Sequence, residues 1–215
     1  MLTVIDYGMG NLRSVMNAFA SLDQPAFIAR GPEDLRRADM IVLPGVGAFG
    51  DGMRNLREGG WVEALEEEVR GKGKPFLGLC VGMQLLATTG TEHGTHEGLG
   101  WIPGVSKRIP CEADPSLRVP HIGWNDVRFL KKQGLYSGFK EESQSFYFVH
   151  SYVLEPEDQS VISGLCAYGP EFAASLEVDN IYATQYHPEK SHRAGITVLK
   201  NFLELQSRVA CLKTA

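Results

Sequence analysis

The sequence predicts an α/β fold: a doubly wound, largely parallel central sheet flanked by helices, with additional antiparallel strands in the second half. Two observations predict it. Over the first ninety residues, short apolar runs alternate with helical patterns, which is typical of a parallel sheet with right-handed crossovers. From 98 to 186 the apolar segments are short and separated by turn residues. No Pro, Gly or Ser-rich linker interrupts the chain, so we expect one domain over 1–209 and a frayed tail over 210–215.

The first half is predicted to contain, in chain order, strand Leu2–Asp6, a helix capped by Asn11, strand Ala26–Ala29, a short helix or turn at Asp34–Ala38, strand Met40–Leu43, a helix over roughly Met53–Arg70 and strand Pro75–Leu79. In the first helix, Val15, Met16 and Phe19 recur at helical spacing. Met40–Leu43 is continuously apolar, as in a strand covered by helices on both faces. We expect Glu66–Glu68 to lie on a solvated helix face.

The second half is predicted to contain the strands Ile122–Val127, Ser145–Leu154, Val161–Ala167, Phe172–Leu176 and Ile181–Tyr186. Several of these strands, short and separated by turn residues, are expected to be antiparallel. A polar connector is expected at Gly134–Lys140, and a helix over Ser191–Ser207 is expected to close the chain.

Composition limits the classes of function. The chain has 43% hydrophobic and 22% charged residues, as ordinary globular proteins do. A net charge of −5 without a basic run argues against nucleic-acid binding, and no apolar run is long enough to span a membrane. The four cysteines form no CxxC pair, and the N-terminus has no features of a signal peptide. We therefore expect a cytoplasmic protein without nucleic-acid or membrane partners.

The stretch Pro75–Leu86, PFLGLCVGMQLL, has the pattern of a nucleophile elbow with Cys80 as the nucleophile. A buried strand enters a sharp turn with flanking glycines, and an apolar helical pattern follows. A sulfur at that position lies at a helix N-terminus, which favours thiolate over thiol. The alternative interpretation is a buried structural cysteine.

A second candidate feature follows strand Met40–Leu43, where Pro44–Gly47 forms a glycine-containing loop. Its N–H groups can point at a ligand, although a plain strand-to-helix turn would have the same composition. In a parallel sheet, ligand sites form at the carboxyl ends of the strands. The turn after Asp6, this loop and Cys80 are all predicted at that edge.

The segment 184–191, T-Q-Y-H-P-E-K-S, places His187 and Glu189 two residues apart. In extended chain this spacing puts both side chains on one side, where the carboxylate can orient the imidazole. The alternative is a turn carrying a surface ion pair. With Cys80, the two residues would complete a nucleophile, a base and an orienting group. No cysteine spacing supports the competing idea of a redox pair between Cys80 and Cys111 or Cys166.

His93 and His96 lie three apart in a Gly and Thr-rich loop. Two such histidines can suggest a metal, but no third ligand stands near them in the sequence. We expect neither a metal nor a cofactor.

Two stretches, G-L-C-V-G-M-Q at 78–84 and Y-H-P-E-K-S at 186–191, resemble the active-site signatures of class I, triad-type glutamine amidotransferases. Within that class, four further stretches are similar to the glutaminase subunits of imidazole glycerol phosphate synthases, of histidine biosynthesis. They are D-Y-G-M-G-N-L at 6–12, L-P-G-V-G-A-F at 43–49, P-H-I-G-W-N at 120–125 and F-Y-F-V-H-S-Y at 146–152. The resemblance runs from residue 4 to about 205. One departure is Val81, where leucine is expected more often.

The resemblance implies that the chain hydrolyses the side-chain amide of glutamine to glutamate and ammonia. Cys80 would attack the amide, His187 would transfer protons and Glu189 would orient His187. Donors to the oxyanion are expected from the backbone at Val81 and around Val46 and Gly47, with Gly45 in the same loop. Glutamine itself would be held by the helix residue Gln84, four positions after Cys80, and by a segment that matches the family: His150, Ser151 and Tyr152.

The resemblance also implies a partner, a (β/α)8-barrel cyclase subunit that receives the ammonia. We expect the docking face to include four residues near the active-site edge: Asn11, Trp124, Tyr147 and Lys190. Three alternatives remain at this point. The subunit could supply ammonia to a different acceptor enzyme, as in surface-sugar amidation; it could be a stand-alone cysteine hydrolase; or it could be a non-catalytic interaction module.

Overall fold

The structure is a computed structural model that describes residues 1–110 and 117–212, without side chains for 206–212. Its helices are α1 (Leu12–Ala20), α2 (Phe49–Glu58), α3 (Trp61–Leu65), α4 (Val81–Gln84) and α5 (His192–Leu212). Its strands are β1 (Leu2–Ile5), β2 (Ala26–Ala29), β3 (Met40–Gly45), β4 (Phe76–Cys80), β5 (Ala87–Gly90), β6 (His96–Glu97), β7 (Ile102–Arg108), β8 (His121–Phe129), β9 (Ser143–His150), β10 (Tyr152–Pro156), β11 (Ile162–Ala167), β12 (Glu171–Val178) and β13 (Ile181–Thr184). Short 3-10 helices lie at Pro32–Arg37, Gly134–Tyr136, Gln159–Val161 and Pro188–Lys190.

The main sheet has nine strands in the order β2-β1-β3-β4-β13-β12-β11-β8-β9. The strands from β2 to β13 run parallel to their neighbours. The strands from β13 to β9 pair antiparallel. The predicted fold class is confirmed, since a parallel half built by crossovers is extended by an antiparallel half.

Strands β1, β3, β4 and β13 of the parallel half are buried on both faces, and successive side chains enter different cores. Ile41 and Leu43 pack into one hydrophobic cluster with Phe49 and Trp61, whereas Val42 packs into the other with Phe19. This alternation follows from the period of two in a strand. It explains why Met40–Leu43 is uniformly apolar, as the sequence indicated.

Local signals in the first half predict its elements closely. The side chain of Asn11 caps α1, since its Oδ1 accepts from Ser14 N at 3.2 Å. Strand β2 has the predicted bounds, Ala26–Ala29. The short polar segment after it is a 3-10 helix, Pro32–Arg37.

The single helix predicted over Met53–Arg70 is wrong. Helix α2 ends at Glu58, and Gly60 adopts a left-handed φ of 68° before α3 begins. After α3 the chain continues as a π-helical turn, Glu66–Gly71. Glu68 is buried and not solvated, because Lys72 and Lys74 both pair with its carboxylate.

A second sheet, in the order β10-β7-β5-β6, was not predicted. Strand β5 begins three residues after α4, where the apolar residues suggested a longer helix. The predicted strand Ser145–Leu154 is two strands, because the chain leaves the main sheet at His150 and enters the small sheet at Tyr152. Ser151 is the crossing point between the two sheets.

The antiparallel half of the main sheet curls back over its parallel half. Strand β9 is five places from β4 in the strand order, which would be ~24 Å in a flat sheet. Yet the carbonyl oxygen of Val149, on β9, lies 3.9 Å from Cys80 Sγ, at the end of β4. Register shifts around Gly164, between β11 and β12, add to the twist that allows this closure.

Two remaining expectations concern the ends of the described chain. Helix α5 runs beyond the predicted Ser191–Ser207, to Leu212. The frayed tail predicted over 210–215 stays a prediction, since 213–215 lie outside the described residues. Over the part of the chain that the structure covers, no helix has the length and apolar character needed to cross a membrane.

Candidate active site

A cavity of about 280 Å³ opens at the carboxyl edge of the parallel strands. Its walls come from six parts of the chain: the loop after β3, the β4–α4 turn, the β5–β6 loop, the residue before β8, the β9–β10 crossing and the segment after β13. The lining residues are Val46, Gly47, Cys80, Val81, Gln84, Glu92, Pro120, Val149, His150, Ser151, Tyr152 and His187.

Cys80 stands at a strained turn between β4 and α4. Its backbone has φ 53° and ψ −107°, which is unusual for a residue with a side chain. The turn is close-packed: a Cβ at Gly78 would stand 2.7 Å from Gly82 O, and a Cβ at Gly82 would stand 2.1 Å from Leu43 O. Glycine is therefore needed on both sides of the cysteine, as the elbow pattern predicts.

Replacing Gly82 with alanine is expected to lower the free energy of unfolding by about 3 kcal/mol, since the added methyl group meets backbone that cannot move aside. Thermal and urea denaturation would measure the loss. Gly71→Ala is the matched control, because its Cβ would meet only Glu66 O, at 3.6 Å. Equal stability of the two variants would contradict the close packing.

Cys80 is buried, with 3% of its surface exposed, yet its sulfur borders the cavity. Gln185 Nε2 lies 3.7 Å from Sγ and can donate to it. The redox alternative gains no support, since Cys166 is a free, buried cysteine that packs in the hydrophobic cluster of Phe146 and Phe148. Cys111 lies outside the described residues.

His187 and Glu189 form a buried pair. His187 Nδ1 lies 2.8 Å from Glu189 Oε1, and the side chains are 4% and 3% exposed. The alternative of a surface ion pair is therefore wrong. The local backbone also differs from the extended chain we expected, because Pro188–Lys190 forms a 3-10 turn that brings the carboxylate back to the ring.

The electrostatics of His187 favour its protonated form. Burial alone would lower the pKa of His187, but interaction with Cys80 and with Glu189 outweighs burial and raises the pKa above its ordinary value. Since Nδ1 is engaged by Glu189, Nε2 is the nitrogen left for the thiol, and it has no hydrogen-bond partner among the described residues. The ring thus lies between the sulfur and the carboxylate, and can exchange a proton with the sulfur.

Ser191 connects the segment of His187 to strand β9 through hydrogen bonds. The sequence motif contains Ser191 but did not indicate this role. Its hydroxyl donates to His187 O at 2.6 Å and accepts from Tyr147 N at 3.0 Å. His187 N in turn donates to Tyr147 O at 3.0 Å. The position of the imidazole is therefore set by strand β9 as well as by the segment that carries His187.

Gln84 is buried, so the alternative of a solvated helix residue is wrong. Its Nε2 donates to Tyr152 O at 2.9 Å and to Gln185 Oε1 at 3.1 Å. It lines the cavity together with the predicted segment His150, Ser151 and Tyr152. Gln185 was not predicted, although it stands two residues before His187.

The loop after β3 is shorter than expected, since Pro44 and Gly45 belong to the strand. Val46 and Gly47 line the cavity, Val46 is exposed, and Gly47 has a φ of 105° that favours glycine. Gly45 packs behind the elbow, where a Cβ would meet Gly82 N and Val81 Cβ at 2.8 Å. Val81 itself borders the cavity directly after the cysteine.

Glu92 is a cavity residue that the sequence reasoning missed. Its Oε2 accepts from Phe49 N at 2.8 Å, at the start of α2. His93 and His96 lie near it, but His93 is exposed. Across the residues whose placement is described, no cluster of three or more His, Cys, Asp or Glu side chains is arranged to hold a metal ion.

The four residues expected to face a partner lie at the start of α1, on β8 and β9, and in the 3-10 turn after β13. Trp124 and Tyr147 are opposite one another on β8 and β9, with ring centroids 6.0 Å apart. Trp124 is 47% exposed and stacks on His192, the first residue of α5. Lys190 follows Glu189 in the 3-10 turn that packs against α1, next to the exposed Asn11.

These features define a class of protein. The model of the family Glutamine amidotransferase class-I matches residues 3–205, and the chain belongs to that family. A crystal structure of a glutamine amidotransferase has the same fold, with a TM-score of 0.75 at 18% identity over 96% of this chain and all of that one.

Two relatives identify the subgroup of this family to which the chain belongs. Imidazole glycerol phosphate synthase subunit HisH of Geobacter sulfurreducens is 48% identical over 208 residues, which is 95% of this chain and 99% of that protein. A HisH subunit of Campylobacter jejuni is 47% identical over 205 residues, covering 95% of this chain and 100% of that one. Within the class-I amidotransferases, the chain belongs to the HisH subunits.

Proposed function

We propose that this chain hydrolyses glutamine to glutamate and ammonia with the triad Cys80, His187 and Glu189, and passes the ammonia to a (β/α)8-barrel cyclase subunit. The observation that carries the proposal is the position of the His187–Glu189 pair beside a strained cysteine elbow, in one cavity. The similarity to HisH subunits supports the histidine pathway over another acceptor.

In the first step, the Cys80 sulfur attacks the amide carbon of glutamine, and its proton goes to His187 Nε2. Because Glu189 holds Nδ1 and stabilises the imidazolium, the ring keeps that proton until it is needed. His187 then donates it to the departing nitrogen as the C–N bond breaks. Ammonia leaves, and a glutamyl thioester of Cys80 remains.

In the second step, a water molecule attacks the thioester, with His187 accepting its proton. Glutamate is released and the thiol is restored. Both tetrahedral intermediates carry an oxyanion that needs N–H donors held in place. We assign these to the backbone at Val81 and at the Val46–Gly47 segment, which border the cavity next to the sulfur. One such donor is typically worth ~3 kcal/mol of barrier.

The polar end of glutamine would lie against His150, Ser151 and Tyr152, with Gln84 behind them. This places the substrate at the crossing between the two sheets, opposite Cys80. The side chain of Gln84 supports the Tyr152 carbonyl, so we assign it to shaping the pocket as well as to contacting the substrate.

The cyclase would receive ammonia directly, because free ammonia in neutral water is mostly protonated and not nucleophilic. In the cyclase it would meet a phosphoribosyl-formimino carboxamide nucleotide, giving imidazole glycerol phosphate and aminoimidazole carboxamide ribotide. We place the docking face on Asn11, Trp124, Tyr147 and Lys190. The support is the exposure of Trp124 and of its neighbour Ile122, 60% exposed, beside the cavity. The proposed setting is the cytoplasm.

Glutamine hydrolysis is expected to be slow in the isolated subunit and about a hundred-fold faster with the cyclase and its nucleotide bound, if the loop ending at Gly47 withholds one oxyanion donor until the partner is engaged. The exposure of Val46 and the left-handed φ of Gly47 support a loop that can change its peptide orientation. Glutamate release would be measured for the subunit alone, with cyclase, and with cyclase and nucleotide.

The two parts of this proposal fail differently. An isolated subunit that is fast and unchanged by either addition would refute the gating but leave the glutaminase. A complex that releases no glutamate under any condition would refute the glutaminase. Affinity purification of the chain from its own cells, with sequencing of the co-purifying subunit, tests the acceptor: a sugar-amidating enzyme in place of a cyclase would favour the alternative.

A further inference from the structure

Two further buried histidines, one of which lines the cavity, lie next to each other at the wall of the glutamine pocket. His121 and His150 face each other across β8 and β9 and are 3% and 6% exposed. His121 Nδ1 lies 3.0 Å from His150 Nε2, and His150 Nδ1 lies 2.9 Å from Tyr152 O. Neither histidine belongs to the triad, and His121, unlike His150, does not line the cavity.

The hydrogen bonds of this pair can run in only one direction. A carbonyl oxygen only accepts, so His150 Nδ1 must carry the hydrogen that reaches Tyr152 O. In a neutral ring, His150 Nε2 is then an acceptor, and His121 Nδ1 must donate to it. The contacts thus specify the same tautomer, Nδ1–H, for both histidines.

The surroundings keep both rings neutral and fixed. Burial lowers the pKa of His121 to about 4 and that of His150 to about 3, and for His150 the neighbouring His121 and His187 lower the pKa further. The ring of His121 is held between Tyr168, at a centroid distance of 3.9 Å, and Phe148, at 4.9 Å. A ring stacked on two sides cannot turn to present its other nitrogen.

The hydrogen bonds from His121 to His150 and from His150 to Tyr152 O, here called the relay, end on the backbone that borders the cavity. Tyr152 O accepts from His150 and also from Gln84 Nε2, so this carbonyl is held from two sides. Ser151, between the two bonded residues, is the crossing point of the sheets and lines the cavity. Without the relay, the crossing would be tied to the main sheet by fewer bonds.

We propose that His121 is a positioning residue for glutamine: by donating to His150 Nε2 it completes the hydrogen bonds that hold that ring, and thereby the His150–Tyr152 backbone that binds the substrate. The inference rests on the proposed glutaminase function. It predicts an effect on substrate binding and not on the sulfur chemistry, because His121 bonds to the wall of the pocket and not to Cys80 or His187.

The test compares His121→Leu with His121→Asn in the complex with the cyclase and its nucleotide. Leucine fills the space without a donor, whereas asparagine places an N–H close to the position of Nδ1. His121→Leu is expected to raise KM for glutamine about ten-fold, the effect of one lost hydrogen bond, with kcat within two-fold of the parent. His121→Asn is expected to restore KM to within about three-fold.

Packing alone is controlled by Phe172→Leu, since Phe172 contacts both rings without a hydrogen bond. This variant is expected to lower Tm with KM unchanged. Nitrogen-15 NMR of the parent subunit provides a readout that needs no turnover, and should show the Nδ1–H tautomer at both histidines, with the Nε2 resonance of His150 shifted in His121→Leu because that nitrogen loses its donor.

The outcomes distinguish a failure of the positioning role of His121 from a failure of the proposed glutaminase activity. If the parent complex releases no glutamate, the glutaminase proposal fails; the NMR result then still decides whether the relay exists. If the parent is active but His121→Leu keeps its KM, or if His121→Asn is no better than His121→Leu, the positioning role is overturned. An Nε2–H tautomer at His150 in the parent overturns it as well.

Discussion

Replacing Cys80 with alanine is expected to abolish glutamine hydrolysis, lowering kcat by roughly 10⁴-fold or more, because no other group bordering the cavity is placed to form a thioester. Glutamate release by the complex with cyclase and nucleotide measures the loss. The fold should persist, since a smaller side chain also relieves crowding at the strained elbow. Synthesis of imidazole glycerol phosphate from added ammonia should continue, because that step belongs to the partner.

The matched control is Cys166→Ala, which removes a buried cysteine from β11, outside the cavity. It should lower stability modestly and leave hydrolysis unchanged. If Cys80→Ala kept full glutaminase activity, the nucleophile would be another group, and the interpretation of the chain as a non-catalytic interaction module would return.

Replacing Glu189 with glutamine is expected to lower kcat by roughly 10²- to 10⁴-fold with little change in KM. The substitution keeps the shape but removes the negative charge that stabilises the His187 imidazolium. The amide nitrogen would stand near the position of Oε1 or of Oε2, and Oε2 is a buried atom without a hydrogen-bond partner among the described residues. Glutamate release by the variant complex measures the effect, and circular dichroism checks the fold.

The same variant has a pH signature. The carboxylate of Glu189 raises the pKa of His187, so its removal lowers that pKa. Loss of ammonia needs a protonated His187, and activity falls as pH rises through its pKa. The alkaline limb of kcat/KM should therefore move to lower pH in Glu189→Gln. A profile with an unchanged alkaline limb would show that Glu189 does not control the ionisation of His187.

The parallel half of the fold was readable from the sequence because its signals are local. Asn11 caps the helix that it was expected to cap, and the apolar run Met40–Leu43 is a doubly covered strand. Errors came where a glycine pair interrupts an otherwise continuous helical pattern, at Gly59 and Gly60. Two short helices that bury one common face carry the same periodicity as one long helix.

The small sheet could not be predicted from local pattern. Strand β5 is four residues long and follows a one-turn helix, and Leu85 and Leu86, which stand between them, continue the helical pattern of the elbow. Strand β7 contains Pro103 and Gly104, which weaken a strand signal. The passage of the chain between sheets at Ser151 depends on long-range pairing, which no window of ten residues contains.

At the candidate site, motifs pointed to Cys80, His187 and Glu189, but not to the residues that position His187 or the wall of the glutamine pocket. Ser191 and His121 act through hydrogen bonds to residues far along the chain, and their own neighbours in sequence do not reveal this. The burial of Glu189 was also hidden, because the 3-10 turn that buries it depends on packing against α1.

The curl of the main sheet has a consequence for the order of events in folding. The contact between Val149 and Cys80 joins residues 69 positions apart, and closing a segment of that length is entropically costly before other contacts compensate. A chain in which only β1 to β4 have assembled holds the thiol but lacks the neighbours contributed by β9. Enzymatic competence is thus a property of the closed molecule, acquired when the last strands dock.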